Sequence, residues 1–166
     1  MGILPAGLEE KARAVLAACA EAKIMVATAE SCTGGLIAAA LTAIPGSSAF
    51  VERGFVTYSN AAKTELLRVS ETLLEQYGAV SHNVALAMAE GALARSKADA
   101  TVAVTGIAGP TGGSPEKPVG LVHMVAAYRG RPPLHARRVF PGDRDAVRLA
   151  TALAAMDLLI RRIREG

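Results

Sequence analysis

Between residues 24 and 44 the chain reads IMVATAESCTGGLIAAALTAI, a short β-branched run that passes through a glycine-bearing turn into a helical apolar run. That switch of period decides the fold class. A strand that is apolar on both faces is buried on both faces, and helices supply the covering layers. The alternation recurs. GFVTYS (54–59) reads as a second strand, followed by a helix NAAKTELL capped by Asn60, a helix SETLLEQY capped by Ser70, and a longer one opening at Ser81–Asn83 and reaching about Lys97. ATVAVTG (100–106) is a third strand. Upstream, Pro5 in a first turn and the spacing of Leu8, Ala12, Val15, Leu16 and Cys19 predict an opening helix over roughly 5–22. LIAAALTAI is stopped by Pro45 and Gly46. Downstream, VGLVHMVAAY and LHARRVF flank RGRPP and predict an antiparallel hairpin at the sheet edge, before a closing helix from about Asp143 to Arg164. The prediction is an α/β chain: a three-layer α/β/α sandwich with a mixed, mostly parallel sheet, a C-terminal antiparallel hairpin, and one domain over 1–166.

Composition limits what such a domain does. Of 166 residues 51% are apolar and 20% charged, enough to assemble a core, and that core is aliphatic because there are three Phe, three Tyr and no Trp. With so few aromatic platforms, single-stranded nucleic acid is not an expected partner. The net charge of +3 conceals nine arginines and no lysine after residue 128. Arginine forks suit phosphate or carboxylate, although surface charges usually serve solvation. Cys19 and Cys32 have no CxxC spacing, and MGILPAGLEEKARAV has neither a charged leader region nor an unbroken apolar one, so the expected location is the cytoplasm. No apolar run reaches the roughly 18 residues of a membrane span. His82, His123 and His135 lack HxxxH or HxH spacing, so no metal is expected; His123, inside an apolar strand, reads as a satisfied core residue.

Open α/β sheets bind ligands beyond the carboxyl ends of their strands. Glu30, Ser31, Cys32, Thr33, Gly34 and Gly35 follow the first strand, Tyr58 and Ser59 end the second, and Thr105 and Gly106 lead from the third into the glycine- and proline-dense GIAGPTGGSPEKPVG. SCTGG at a helix N-terminus offers hydroxyls and unpaired amides to an anion, or simply caps the helix. Lys63 lies in a helical first turn, where the dipole disfavours a cation; a neutral lysine there takes a serine proton, whereas an exposed one only meets solvent. Tyr58 is five residues away and available to relay a proton. Cys32 reads as an inert buried thiol, and Glu30 either orients a hydroxyl or caps a helix. Neither GxxxxGK[ST] nor GxGxxG after a strand occurs.

The stretches TAESCTGGLIAAALT, PGSSAFVERGFVTYSNAAK, YGAVS and AVTGIAGPTGGSPEKPVGLV resemble the signature segments of the CinA C-terminal domain family, over about residues 5–164. The resemblance implies a cofactor-free hydrolysis of the carboxamide of nicotinamide mononucleotide, releasing ammonia, by a Ser/Lys dyad. It implies Ser48 in PGSS, Tyr58 and Lys63 in FVTYSNAAK, Ser31 in ESCTGG, Thr105 in TGIAGP, and Arg144 and Arg148 in GDRDAVR as site residues. Two serines compete as nucleophile. Ser48 is preferred because it travels with Tyr58 and Lys63, leaving the Ser31 hydroxyl and the Gly34 and Gly35 amides for binding or an oxyanion hole, alongside Thr33, Thr105 and Gly106. The phosphate has two expected anchors, the ESCTGG helix N-terminus and Arg144, preferred over Arg148. A second copy of the chain is left open as a partner. The competing readings are a non-catalytic nucleotide-sensing or interaction module and a metal-dependent phosphate-ester hydrolase, the latter disfavoured by scarce carboxylate clusters.

Overall fold

A computed structural model describes residues 2–165. Its elements run α1 (Leu8–Ala22), β1 (Val26–Glu30), α2 (Leu36–Thr42), β2 (Val51–Val56), α3 (Asn60–Leu67), α4 (Glu71–Tyr77), α5 (His82–Ala94), β3 (Ala100–Gly106), β4 (Leu121–Tyr128), β5 (Arg131–Val139) and α6 (Arg144–Arg164). The strands form one sheet in the order β2-β1-β3-β4-β5. β1 pairs in parallel with β2 and β3, while β3–β4 and β4–β5 are antiparallel, so β4 alone runs against the rest.

The central strands separate two aliphatic layers. Val102 and Val104 of β3 pack with Val15, Ile37, Leu41, Met156 and Leu159 of α1, α2 and α6. Ala103 faces the other way, toward Leu67, Leu74, Val84 and Met88 of α3, α4 and α5. This alternation, with both neighbours buried, is why β3 reads as a continuous apolar run.

Several boundaries differ from expectation for local reasons. α1 begins at Leu8, because Gly7 takes φ 89° and Pro5 only accepts the Leu8 amide in the preceding turn. β2 ends at Val56 and includes the polar VERG: it is an edge strand paired only with β1, so half of its residues meet solvent. The N-cap of α3 is Ser59, whose hydroxyl accepts from the Ala62 amide at 3.0 Å, and Asn60 is the first helical residue. Ser70 and Ser81 cap α4 and α5, and α5 stops at Ala94. The hairpin turn is only Arg129–Gly130, and Pro132 and Pro133 lie inside β5, where an outermost strand tolerates their missing N–H groups.

The carboxyl ends of β1, β2 and β3 and the start of β4 share one end of the sheet. Ser48 does not lie there. It sits exposed in a 3-10 turn, Ser47–Ala49, that leads into β2. At about 3.3 Å per residue, β2 separates that turn from the carboxyl ends by roughly 20 Å. Among the described residues no helix is long and apolar enough to cross a membrane.

Candidate active site

Ser31 is the first residue beyond β1, and its amide extends the ladder by donating to the Val104 carbonyl at 3.1 Å. Lys63 enters from α3, one turn past the Ser59 cap, and is 1% exposed. Its Nζ lies 3.0 Å from Ser31 Oγ, 3.0 Å from the Thr57 carbonyl and 3.2 Å from the Tyr58 carbonyl. No carboxylate pairs with it among the described residues. Burial therefore lowers its pKa below the usual lysine value, a pull only partly opposed by Cys32. The expected cause was the helix terminus; the cause found is burial.

A neutral amine carries two hydrogens and one lone pair. In the neutral form of Lys63 the two carbonyls occupy the hydrogens, which leaves the lone pair for the third neighbour, the Ser31 hydroxyl. The proton-accepting atom is thus aimed at a serine oxygen, the arrangement an activated nucleophile requires.

Ser31 and Lys63 open into a cavity of about 280 Å³ that is also lined by Cys32, Tyr58, Thr105, Gly106 and Arg144. Asn60, Ala79, Val80 and, from the glycine-rich loop, Ile107, Ala108, Gly109, Thr111 and Gly112 complete the wall, and none of the lining residues is acidic. Thr105, 1% exposed, donates its hydroxyl to the Ala79 carbonyl at 2.9 Å, tying β3 to the turn before α5. Gly106 is required sterically: a Cβ there would stand 2.7 Å from Val122 Cγ2 and 2.9 Å from the Leu121 carbonyl oxygen. Arg144 donates to the Gly109 carbonyl at 2.8 Å and to the Tyr58 hydroxyl at 2.9 Å. The Tyr58 phenol thus turns to Arg144, and only the Tyr58 carbonyl reaches Lys63.

The remaining sequence candidates do other work. Thr33, Gly34, Gly35 and Arg148 do not line the cavity. The fully buried Glu30 carboxylate accepts from the Ile37 and Ala38 amides at 2.9 and 3.0 Å and from the Thr33 hydroxyl at 2.6 Å, so the N-terminus of α2 already holds an anion and is not a phosphate anchor. The Gly34 amide donates to the Ser31 carbonyl, which removes it as an oxyanion donor. Burial pushes the Cys32 thiol up to about 11, consistent with an inert side chain. Asn60, Ala79 and Val80 were missed as lining residues; the YGAVS stretch was the one available pointer to the last two.

His123 is half-buried rather than a core residue, with Nδ1 2.9 Å from His135 Nε2, and the His82 ring stacks on His135 at 3.9 Å between centroids. His82 opens α5 while His123 and His135 lie on the paired strands β4 and β5, so no local spacing marks the cluster.

A family model for the CinA C-terminal domain matches residues 8–163. The chain belongs to the CinA C-terminal domain family. It is 58% identical over 136 residues to the nicotinamide-nucleotide amidohydrolase PncC of Enterobacter agglomerans, covering 82% of this chain and 83% of that protein. It is 54% identical to the PncC of Escherichia coli (strain K12) over 134 residues, 80% of this chain and 81% of the relative. Among solved structures, the competence/damage inducible protein CihA from Agrobacterium tumefaciens matches with a TM-score of 0.94 and 52% identity, over 99% of this chain and 100% of that one.

Proposed function

We propose that this family member is a nicotinamide-nucleotide amidohydrolase whose nucleophile is Ser31 and whose base is Lys63. The activity is supported by relatives of that name at 54–58% identity over most of the chain. The observation that carries the mechanism is the 3.0 Å contact between Lys63 Nζ and Ser31 Oγ, with both carbonyl neighbours accepting from the amine.

Ser31 Oγ attacks the carboxamide carbon of nicotinamide mononucleotide while Lys63 takes the hydroxyl proton. The tetrahedral intermediate collapses as the Lys63 ammonium passes that proton to the departing nitrogen, releasing ammonia and leaving an ester on Ser31. Water, losing a proton to Lys63, attacks the ester; the serine leaves with that proton and nicotinate mononucleotide is released. No metal or cofactor enters these steps. Arg144 reads the substrate phosphate: a guanidinium carries five N–H donors, and the Gly109 carbonyl and Tyr58 hydroxyl occupy only part of them. A small-molecule nucleotide of the soluble pool is the partner; the acid-free cavity suits its anionic phosphate.

The test is ammonia release from the mononucleotide by the purified chain, with nicotinate mononucleotide identified as the co-product. Turnover that survives chelator is expected. Tight binding of the mononucleotide without ammonia release means a nucleotide-sensing module instead.

A further inference from the structure

Arg148 stands one turn after Arg144 on α6 and does not line the cavity. Its Nε donates to the Cys32 carbonyl at 3.2 Å and its Nη2 to the Thr33 carbonyl at 3.1 Å, contacts that span more than a hundred residues of sequence. It has no carboxylate partner among the described residues. A partly buried guanidinium is thus committed to two adjacent peptide carbonyls of the turn that carries Ser31.

That turn is held on its other sides too. Glu30 anchors the Thr33 hydroxyl, and the Ser31 carbonyl accepts the Gly34 amide at 3.1 Å. The Cys32 and Thr33 amides, by contrast, donate to no backbone carbonyl among the described residues. In a planar trans peptide the N–H points opposite to the C=O. Fixing the Ser31 carbonyl therefore aims the Cys32 N–H, and fixing the Cys32 carbonyl on Arg148 aims the Thr33 N–H. The amide next after an attacking serine is where acyl-transfer sites collect donors for the developing oxyanion.

We infer that Arg148 is a positioning residue that orients the Cys32–Thr33 peptide so that its neighbouring amides stabilise the oxyanion formed at Ser31. This rests on the Ser31–Lys63 reading. Arg148 touches no substrate atom; it acts through the backbone, and α6 thereby organises the site twice, with Arg144 on the glycine-rich loop and Arg148 on the nucleophile turn.

The test compares Arg148→Ala and Arg148→Lys with the unaltered protein on nicotinamide mononucleotide and its riboside, with and without added guanidinium ion at non-denaturing concentration. The expected result for Arg148→Ala is a kcat lower by about 10- to 100-fold with KM within about twofold, since a misaimed oxyanion donor weakens only the transition state. The proportional loss should be the same on both substrates, guanidinium should restore part of kcat, and Arg148→Lys should retain more activity than Arg148→Ala. A loss confined to the mononucleotide overturns the inference in favour of a phosphate contact. A loss that matches the fraction of unfolded protein by circular dichroism and ignores guanidinium overturns it in favour of a purely structural role. Turnover that survives Ser31→Ala defeats the dyad itself, a separate outcome read on a separate variant.

Discussion

The Arg144 guanidinium joins the Tyr58 hydroxyl, 2.9 Å from Nη2, to the glycine-rich loop through Gly109, so one side chain bridges the β2–α3 connection and the loop after β3. All three residues line the cavity into which Ser31 and Lys63 open, and Arg144 is the residue proposed to read the substrate phosphate.

Arg144→Ala should therefore lower kcat/KM for the mononucleotide by roughly 10- to 150-fold, the loss of a charge-assisted contact of about 1.5 to 3 kcal/mol. The riboside, having no phosphate, should be nearly unaffected. Tyr58→Phe should cost less than about tenfold, because Arg144 keeps its Gly109 anchor and only one hydrogen bond of about 1 kcal/mol is removed. Steady-state kinetics on both substrates check this; equal losses from Arg144→Ala on the two would assign the arginine to loop structure.

The histidine stack gives a pH-dependence of folding. Burial, reinforced by the electrostatic influence of His135, Arg137, His82 and Lys117, pushes the His123 pKa down to about 4 from 6.5. The unfolded chain then binds a proton at His123 below about pH 6.5 that the folded chain refuses until about pH 4. His123 thus contributes its full stability above pH 6.5, and that contribution is lost as pH falls toward 4. His123→Gln should flatten the fall of Tm across this window. Parallel Tm profiles for the variant and the unaltered protein would contradict it.

Gly91 lies mid-α5, against the carboxyl end of α3, and a Cβ there would run into the Leu67 carbonyl oxygen. Because α3 carries Lys63, Gly91→Ala should both destabilise the fold, by about 1 to 3 kcal/mol of overpacking, and lower kcat by shifting the base. Denaturant unfolding and initial rates on the same preparation measure the two effects; an unchanged midpoint would mean the helices separate freely.

The layers were legible because the β-branched runs at 26–30 and 100–106 and the capping serines at 70 and 81 are local signals. β2, expected at 54–59, lies at Val51–Val56, since its edge position lets it begin with the polar residues of VERG, which lack the apolar run that marks a buried strand. Lys63, Tyr58, Thr105, Gly106 and Arg144 were singled out as site residues and do meet at one cavity. The structure does not bring Ser48 to Lys63 despite their proximity in sequence, because β2 lies between them, whereas the parallel neighbour β1 delivers Ser31 to the same end of the sheet as α3. Side-chain commitments such as Arg148 to the Cys32 carbonyl, or His123 to His135, depend on tertiary contact and leave no spacing to read.

The most direct measurement of the central claim is single-turnover ammonia release from nicotinamide mononucleotide by Ser31→Ala, Ser48→Ala and Lys63→Ala. The dyad predicts a kcat lower by at least about 10³-fold for Ser31→Ala and Lys63→Ala, as for loss of a nucleophile or its base, with Ser48→Ala close to the unaltered protein. Abolished turnover in Ser48→Ala together with near-normal turnover in Ser31→Ala would contradict it.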